Sequence, residues 1–330
     1  MPRPRPVRLR VLLPLPLLAG CSGAQSFLDP TGPNARQTLV LFEWTLVVSA
    51  IACIAVGAAL VHAWLMPRRL SDRAARWMVV GGGVALPAMA LPLLLVASLR
   101  IPWPFAEERE GAFTVDVVAW QFWWEFRYPS PEPGGPPVVT ANELHLPVGV
   151  PVRFRLVTQD VIHSFWVPTL GGKVDMIPGR TNYALLRADS PGAYRGACFE
   201  FCGLQHANMA FPVFAVPQPE WEDWLRREAA PALPPSGAEA LRGQQVFTTA
   251  GCGSCHAVRG HGAAGAVAPD LTHLASRTTL GAGMLPNTRA SLTGWIAAVQ
   301  QVKPGAAMPN FNHLTGPDLH ALSTYLEGLQ

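Results

Sequence analysis

Charge is scarce in this chain: Asp, Glu, Lys and Arg make up 14% of its 330 residues, and the formal net charge is only +3. So small an excess gives no electrostatic footprint for a polyanion, and no nucleic-acid motif is present, so nucleic acid is not expected as a partner. Cysteine is sparse too, with six residues, too few to suggest a disulfide framework in a chain of this length. What abounds is apolar surface. The hydrophobic fraction of 49% leans towards a membrane protein, and the skew is local. The length suits two or three domains.

Residues 1–21 hold Arg3, Arg5, Arg8 and Arg10, then a short run of leucines and prolines, and end Leu18-Ala19-Gly20-Cys21. A basic start, an apolar stretch too short to span a bilayer and a small-residue cleavage site read as a signal peptide, outside the fold. Leu-Ala-Gly-Cys resembles a bacterial lipobox, which makes Cys21 a lipidation site; ordinary cleavage and an uncleaved segment are the alternatives. Residues 22–112 are expected to form a transmembrane hairpin, with spans at 38–66 and 77–101 that each exceed the roughly 20 residues a helix needs. The ten residues between carry Arg68, Arg69, Arg73 and Arg76, which predicts a cytoplasmic loop and both flanks on the outer face. Glu43 and His62 sit near span ends, where they reach the interface. Pro87 and Pro92 predict kinks, and Gly81-Gly82-Gly83 a flat face for close packing on a larger membrane protein.

Residues 113–217 alternate as short strands separated by turn-rich segments, with no helix between them, which predicts an all-β Greek-key sandwich. The aromatic run Trp120-Gln121-Phe122-Trp123-Trp124-Glu125-Phe126 reads as strand, with alternate rings on opposite faces. Residues 218–236 start as a short amphipathic helix and continue as a Pro- and Ala-rich tether. A second outer unit, all-α, occupies 237–330.

The chemistry concentrates in Cys198-Phe199-Glu200-Phe201-Cys202-Gly203-Leu204-Gln205-His206-Ala207-Asn208-Met209. Two thiolates, an imidazole and a thioether in one loop are too soft for magnesium or calcium and suit copper. His163, read as lying at the end of a strand, is the further ligand. A mononuclear blue-copper site needs one thiolate; two thiolates with two histidines and a methionine suggest two copper ions bridged by both sulfurs. The competing reading is a Cys198–Cys202 disulfide with bystander His and Met.

That ligand order, with Lys173-x-Asp175-x-x-Pro178-Gly179-Arg180 between His163 and the loop, resembles subunit II of the haem-copper cytochrome c oxidases. The resemblance implies a cupredoxin fold and a dinuclear CuA centre. Cys198 and Cys202 would bridge the coppers, His163 and His206 cap one each, Met209 bind weakly and Glu200 give its backbone carbonyl. It also implies a magnesium ion shared with subunit I and faced by the Glu200 side chain. The family commonly reads Gln-Trp-x-Trp where electrons arrive; here Phe122 takes the first tryptophan's place, with Trp120 and Trp123 as substitutes. Asp175 is placed near His163, either orienting a ligand or a docking partner or as a plain surface carboxylate. Ala74 stands where many relatives have a glutamate at a proton path, with Asp72 the nearest carboxylate. His145 is expected to be structural.

Cys252-Gly253-Ser254-Cys255-His256 is the attachment signal for c-type haem: two thioether links and His256 on the iron. A helix-like segment before it, Met308-Pro309 after it and a final helix from Pro317 resemble a class I cytochrome c, with Met308 as sixth ligand in preference to Met284. Pro269 and Leu271 match positions on the proximal side; His261, His273, His313 and His320 are expected at the surface. Cys53 remains as a small apolar residue, and no structural disulfide is needed. Lipobox, helix pair, cupredoxin and cytochrome in this order resemble subunit II of a caa3-type oxidase. The implied function is electron transfer from a cytochrome c or other donor, through haem c and CuA, to subunit I, where oxygen is reduced to water and protons are translocated. Subunits I and III are the implied partners, in a bacterial cell membrane with both redox units periplasmic. The alternatives are the small subunit of a CuA-containing nitric oxide reductase, a membrane-anchored shuttle with no oxidase, and a copper-delivery protein.

Overall fold

The computed structural model describes residues 23–65, 71–100 and 113–330. Cys21 and the signal segment lie outside the described residues, as do Arg68 and Arg69. Helix α1 (Pro33–Leu65) and helix α2 (Asp72–Leu99) are 33 and 28 residues long, ample for a hydrocarbon core. Beyond the root of α1 both present exposed apolar side chains among the described residues, as at Ile54 and Leu93, which suits lipid or a partner's helices. Helix α2 starts on Ser71, whose side chain caps Ala74 N–H. Its middle, Val79–Ala85, is π-helical, with Leu86 N–H bonded to Gly81 five residues back. The glycines and Pro87 sit where this wider turn replaces the usual ladder.

The root of α1 is bolted to the outer unit. Thr31 and Gly32 N–H donate to Thr169 O at 2.7 and 3.0 Å, Asp189 N–H returns to Thr31 O at 3.0 Å, and Arg36 pairs with Asp189. Gly32 is required there, because a Cβ would stand 2.3 Å from Leu170 O.

The outer unit is a ten-stranded sandwich: β1 (Phe113–Trp120), β2 (Trp123–Tyr128), β3 (Val138–Ala141), β4 (Leu144–Pro147), β5 (Val152–Thr158), β6 (His163–Trp166), β7 (Val174–Met176), β8 (Asn182–Leu186), β9 (Gly192–Cys198) and β10 (Ala210–Val216). One sheet runs β3-β2-β1-β5-β8 and the other β4-β10-β9-β6-β7. Alternation decides the faces. Val152, Phe154 and Leu156 of β5 point inward against Val115, Val117 and Ala119 of β1, while Arg155 on the outer face pairs with Asp116 at 2.7 Å. The aromatic run is not one strand: it turns at Gln121 and Phe122, so Trp120 and Trp123 oppose each other and stack at 5.6 Å. The turn cancels the alternation expected across it. His163 opens β6 rather than closing a strand.

Helix α3 (Gln218–Ala229) packs Trp221 and Leu225 into the sandwich core, and Trp224 stacks on His145 at 4.2 Å, which gives His145 its structural role. The segment after it is no free tether. Ala230 O accepts from His273 Nε2 at 3.0 Å, and Ala232 N–H donates to Arg259 O at 2.9 Å while its side chain joins the second core. This also corrects the surface expectation for His273, which is buried by that contact; His261 is half-buried against Tyr325, and His313 and His320 are exposed.

The second outer unit packs α4 (Ala238–Thr249), α5 (Arg289–Ala297) and α6 (Gly316–Glu327) around Phe247, Leu292, Leu322 and Leu326. Helices α4 and α6 cross at Gly243, where a Cβ would lie 2.0 Å from Ala321 O.

Candidate metal centre

Strand β9 ends at Cys198, the loop bends back, and β10 restarts one residue after Met209. Cys198 N–H bonds to Met209 O at 2.9 Å, so the loop's two ends are tied. Phe165 on β6 pairs with Cys198, which brings His163 alongside. His163, Cys198 and Cys202 present donor atoms all within 4.8 Å of one another. His163 Nδ1 lies 3.7 Å from Cys198 Sγ, His206 Nδ1 lies 3.7 Å from Cys202 Sγ, and the sulfurs are 3.9 Å apart. Glu200 O is 3.2 Å from Cys198 Sγ, and Met209 is fully buried. All described cysteines are free, which removes the disulfide reading.

The sulfur pair fits a bound cation. Its members lower and raise one another: the hydrogen bond from Cys202 pulls the Cys198 thiol well below its ordinary range, against its burial, while the same contact pushes Cys202 up. Two adjacent thiolates need positive charge between them, and soft sulfur with imidazole selects copper over magnesium or calcium.

Orientation comes from a residue the sequence reading passed over. Asp160 Oδ1 holds His163 Nε2 at 2.8 Å, leaving Nδ1 turned to the sulfurs, and Asp160 also accepts Val161 N–H at 2.7 Å. Its place three residues before His163 on the β5–β6 turn was the available signal. Asp175 does not do this: it opposes Ser164 in the β6–β7 ladder and its carboxylate pairs with Lys173 at 3.1 Å. Lys173 also holds the Glu200 carboxylate at 3.2 Å. Gln121 Nε2 donates to Cys202 O at 2.6 Å, and Trp124 lies beneath, its ring 6.4 Å from that of His163.

A cavity of about 710 Å³ lies between the two outer units. Cys252, Cys255 and His256 line it, as does Met308; Met284 does not. Pro269 O fixes His256 Nδ1 at 2.7 Å, leaving Nε2 free, and burial holds this imidazole below its ordinary range, hence neutral and able to bind a metal. The cavity fits a large flat cofactor: apolar walls of Phe247, Leu292 and Ile296, a buried Arg277 guanidinium, and Thr279 Oγ1, buried without a partner. The far wall is the sandwich itself, at Gln121, Phe122 and Trp123. Phe122 is thus buried, 6% exposed, under the second unit.

Lys303 was also passed over. Its ammonium is buried between the units and donates to Phe122 O, Asn208 O and Gly281 O at 2.8, 2.8 and 2.7 Å. Burial pushes it down to about 7.

Residues 137–216 match the family described as "Cytochrome C oxidase subunit II, periplasmic domain", and residues 240–330 match "Cytochrome c". A cytochrome c oxidase subunit 2 from Alkalihalophilus pseudofirmus is 34% identical over 95% of this chain and 94% of its own. One from Bacillus subtilis is 29% identical over 99% and 98%. The crystal structure of the periplasmic domain of subunit II of cytochrome oxidase from Bradyrhizobium japonicum is 27% identical, with TM-score 0.34, covering 37% of this chain and 95% of that one.

Proposed function

Since this chain belongs to the cytochrome c oxidase subunit II family, we propose that its loop at 198–209 with His163 holds CuA, that its second unit holds haem c, and that electrons pass from the second to the first. The family assigns the protein to a haem-copper oxidase in the membrane, working with subunit I.

The copper pair and the haem supply the one-electron chemistry when bound. Cys198, Cys202, His163 and His206 would hold the coppers, with Met209 and Glu200 O completing the donor set. Cys252 and Cys255 would anchor the haem covalently, and His256 and Met308 would be its iron ligands, a pairing that raises the potential. Arg277, buried in the cavity wall, would supply positive charge to the haem's carboxylates. Asp160 and Pro269 O hold the two histidines in the tautomers that present a lone pair inward. A sandwich with ligands on tied loops resists rearrangement when the metal changes charge. The observation that carries this reading is the continuity between the sites: Ala210 N–H, next to Met209, donates to Ala282 O in the cavity wall at 3.1 Å.

Several finer points belong to the same reading. Electrons from a cytochrome c enter at the haem unit, because Phe122 is covered and Trp123 faces the cavity; Trp120, stacked on Trp123, extends the aromatic pair. Glu200 reaches a magnesium ion shared with subunit I only by parting from Lys173. The outer units are periplasmic, since Arg73 and Arg76 flank the inner end of the hairpin; Cys21 carries lipid, and subunit III joins the complex. Optical and electron paramagnetic resonance spectra of the purified protein, with metal and haem quantified, test the core of this. Two coppers per chain with a seven-line mixed-valence signal and one c-type haem are expected; one copper with a four-line signal overturns the dinuclear assignment.

A further inference from the structure

We propose that Lys303 is a positioning residue that clamps the haem-bearing unit onto the copper loop, so that internal electron transfer takes place in a docked state; this rests on the copper and haem assignments above. A buried lysine ordinarily sits beside a carboxylate. Lys303, 2% exposed, has instead a backbone carbonyl for each of its three N–H donors. The three come from separate segments. Phe122 belongs to the β1–β2 turn, beside the Gln121 that holds Cys202 O. Asn208 lies between the ligands His206 and Met209. Gly281 belongs to the haem unit and lines its cavity.

The neighbours repeat the pattern. Pro304 O, one residue on, accepts from Gln205 Nε2 at 3.0 Å, and Gln205 Oε1 accepts from Asn208 Nδ2 at 2.7 Å. Elsewhere between the units Glu143 Oε1 accepts the Thr278 hydroxyl at 2.6 Å. The chain leading to Met308 is therefore tied to the proposed copper loop by Lys303, all three of whose donors are used, and by Gln205 beside it. A filler residue needs no donors, and an arginine's planar fork does not converge on three carbonyls around a point. An ammonium does. Because Lys303, Phe122 and Gly281 all line the cavity, releasing the clamp parts the wall from the copper loop.

The test uses the full-length holoprotein. Lys303→Met keeps the length and removes the charge and all three donors. Expected are two coppers and one haem per chain with unchanged spectra, a broadened copper–haem spin–spin distance distribution by pulsed dipolar resonance, and transfer from photoreduced haem to oxidised copper slowed by about tenfold or more. A narrow wild-type distribution with a wild-type rate overturns the clamp. If Lys303→Met does not accumulate with both centres, Lys303→Gln, neutral but still an N–H donor, is judged by the same two measurements. A wild-type protein without the copper pair or without haem overturns the underlying assignment, and is distinguished at once by metal and haem content.

Discussion

At His163 the nitrogen offered to the metal is chosen by a carboxylate three residues upstream. Asp160→Asn keeps the size and removes the charge, and copper affinity is expected to fall about 10–100-fold, read by chelator competition, with the haem spectrum unaffected. The loop cysteines, His206 and Met209 were legible in the sequence because they are neighbours along the chain and their types together admit few metals. Asp160 carries no such company, and Lys303 acts 95 residues away from Asn208; a contact made by folding leaves no local pattern. Asp175 admits two readings for the opposite reason: it lies one strand from His163, but its carboxylate pairs with Lys173 at the surface. Leaving the three carbonyls around Lys303 without donors costs about 1–3 kcal/mol each, borne by the interface rather than by either core.

Among the elements, the α4–α6 crossing is the tightest in the haem unit. Gly243→Ala forces its Cβ into Ala321 O and is expected to destabilise that unit by about 1–3 kcal/mol. Thermal unfolding followed at the haem band checks this, while the copper signal melts as in wild type. Both helices were readable from periodicity; the glycine at their contact had one cue, that glycine inside a helix costs about 1 kcal/mol and so needs a packing reason. Short β3 and β7 were not readable, because a strand of three or four residues shows too few alternations to mark a face. The junction of α1 with the sandwich has its own pH dependence. Burial raises Asp189, but its pairs with Arg36 and Arg187 outweigh this and leave it below its ordinary value of 3.8. Since the folded value lies below the unfolded one, the contribution is present above 3.8 and is lost as pH falls through the folded value. Acid unfolding monitored below that point should show it, and Asp189→Asn should flatten the acid limb.

In the whole molecule, two redox units and a membrane root form one connected body. The linker, pinned through Ala230 and Ala232, should resist proteolysis at residues 231–236 in the wild type; cleavage there as fast as in a denatured control counts against a docked cytochrome unit. The order of parts along the chain was plain from composition and motifs, whereas their docking was not, since a proline-rich stretch reads alike whether it swings or is tied down.

The bolt between Thr31 and Thr169 has a metric meaning. His163 opens β6 and Thr169 lies six residues further on, so one short run of backbone, at most about 20 Å at 3.3 Å per residue, sets how far the proposed copper ligand stands from the root of α1. Tunnelling falls off steeply with separation, and this strand serves as its ruler. Adding a single residue within β6, between His163 and its pairing with β9 at Phe165, lengthens the ruler and turns His163 away from the sulfurs, so there reach and aim change together.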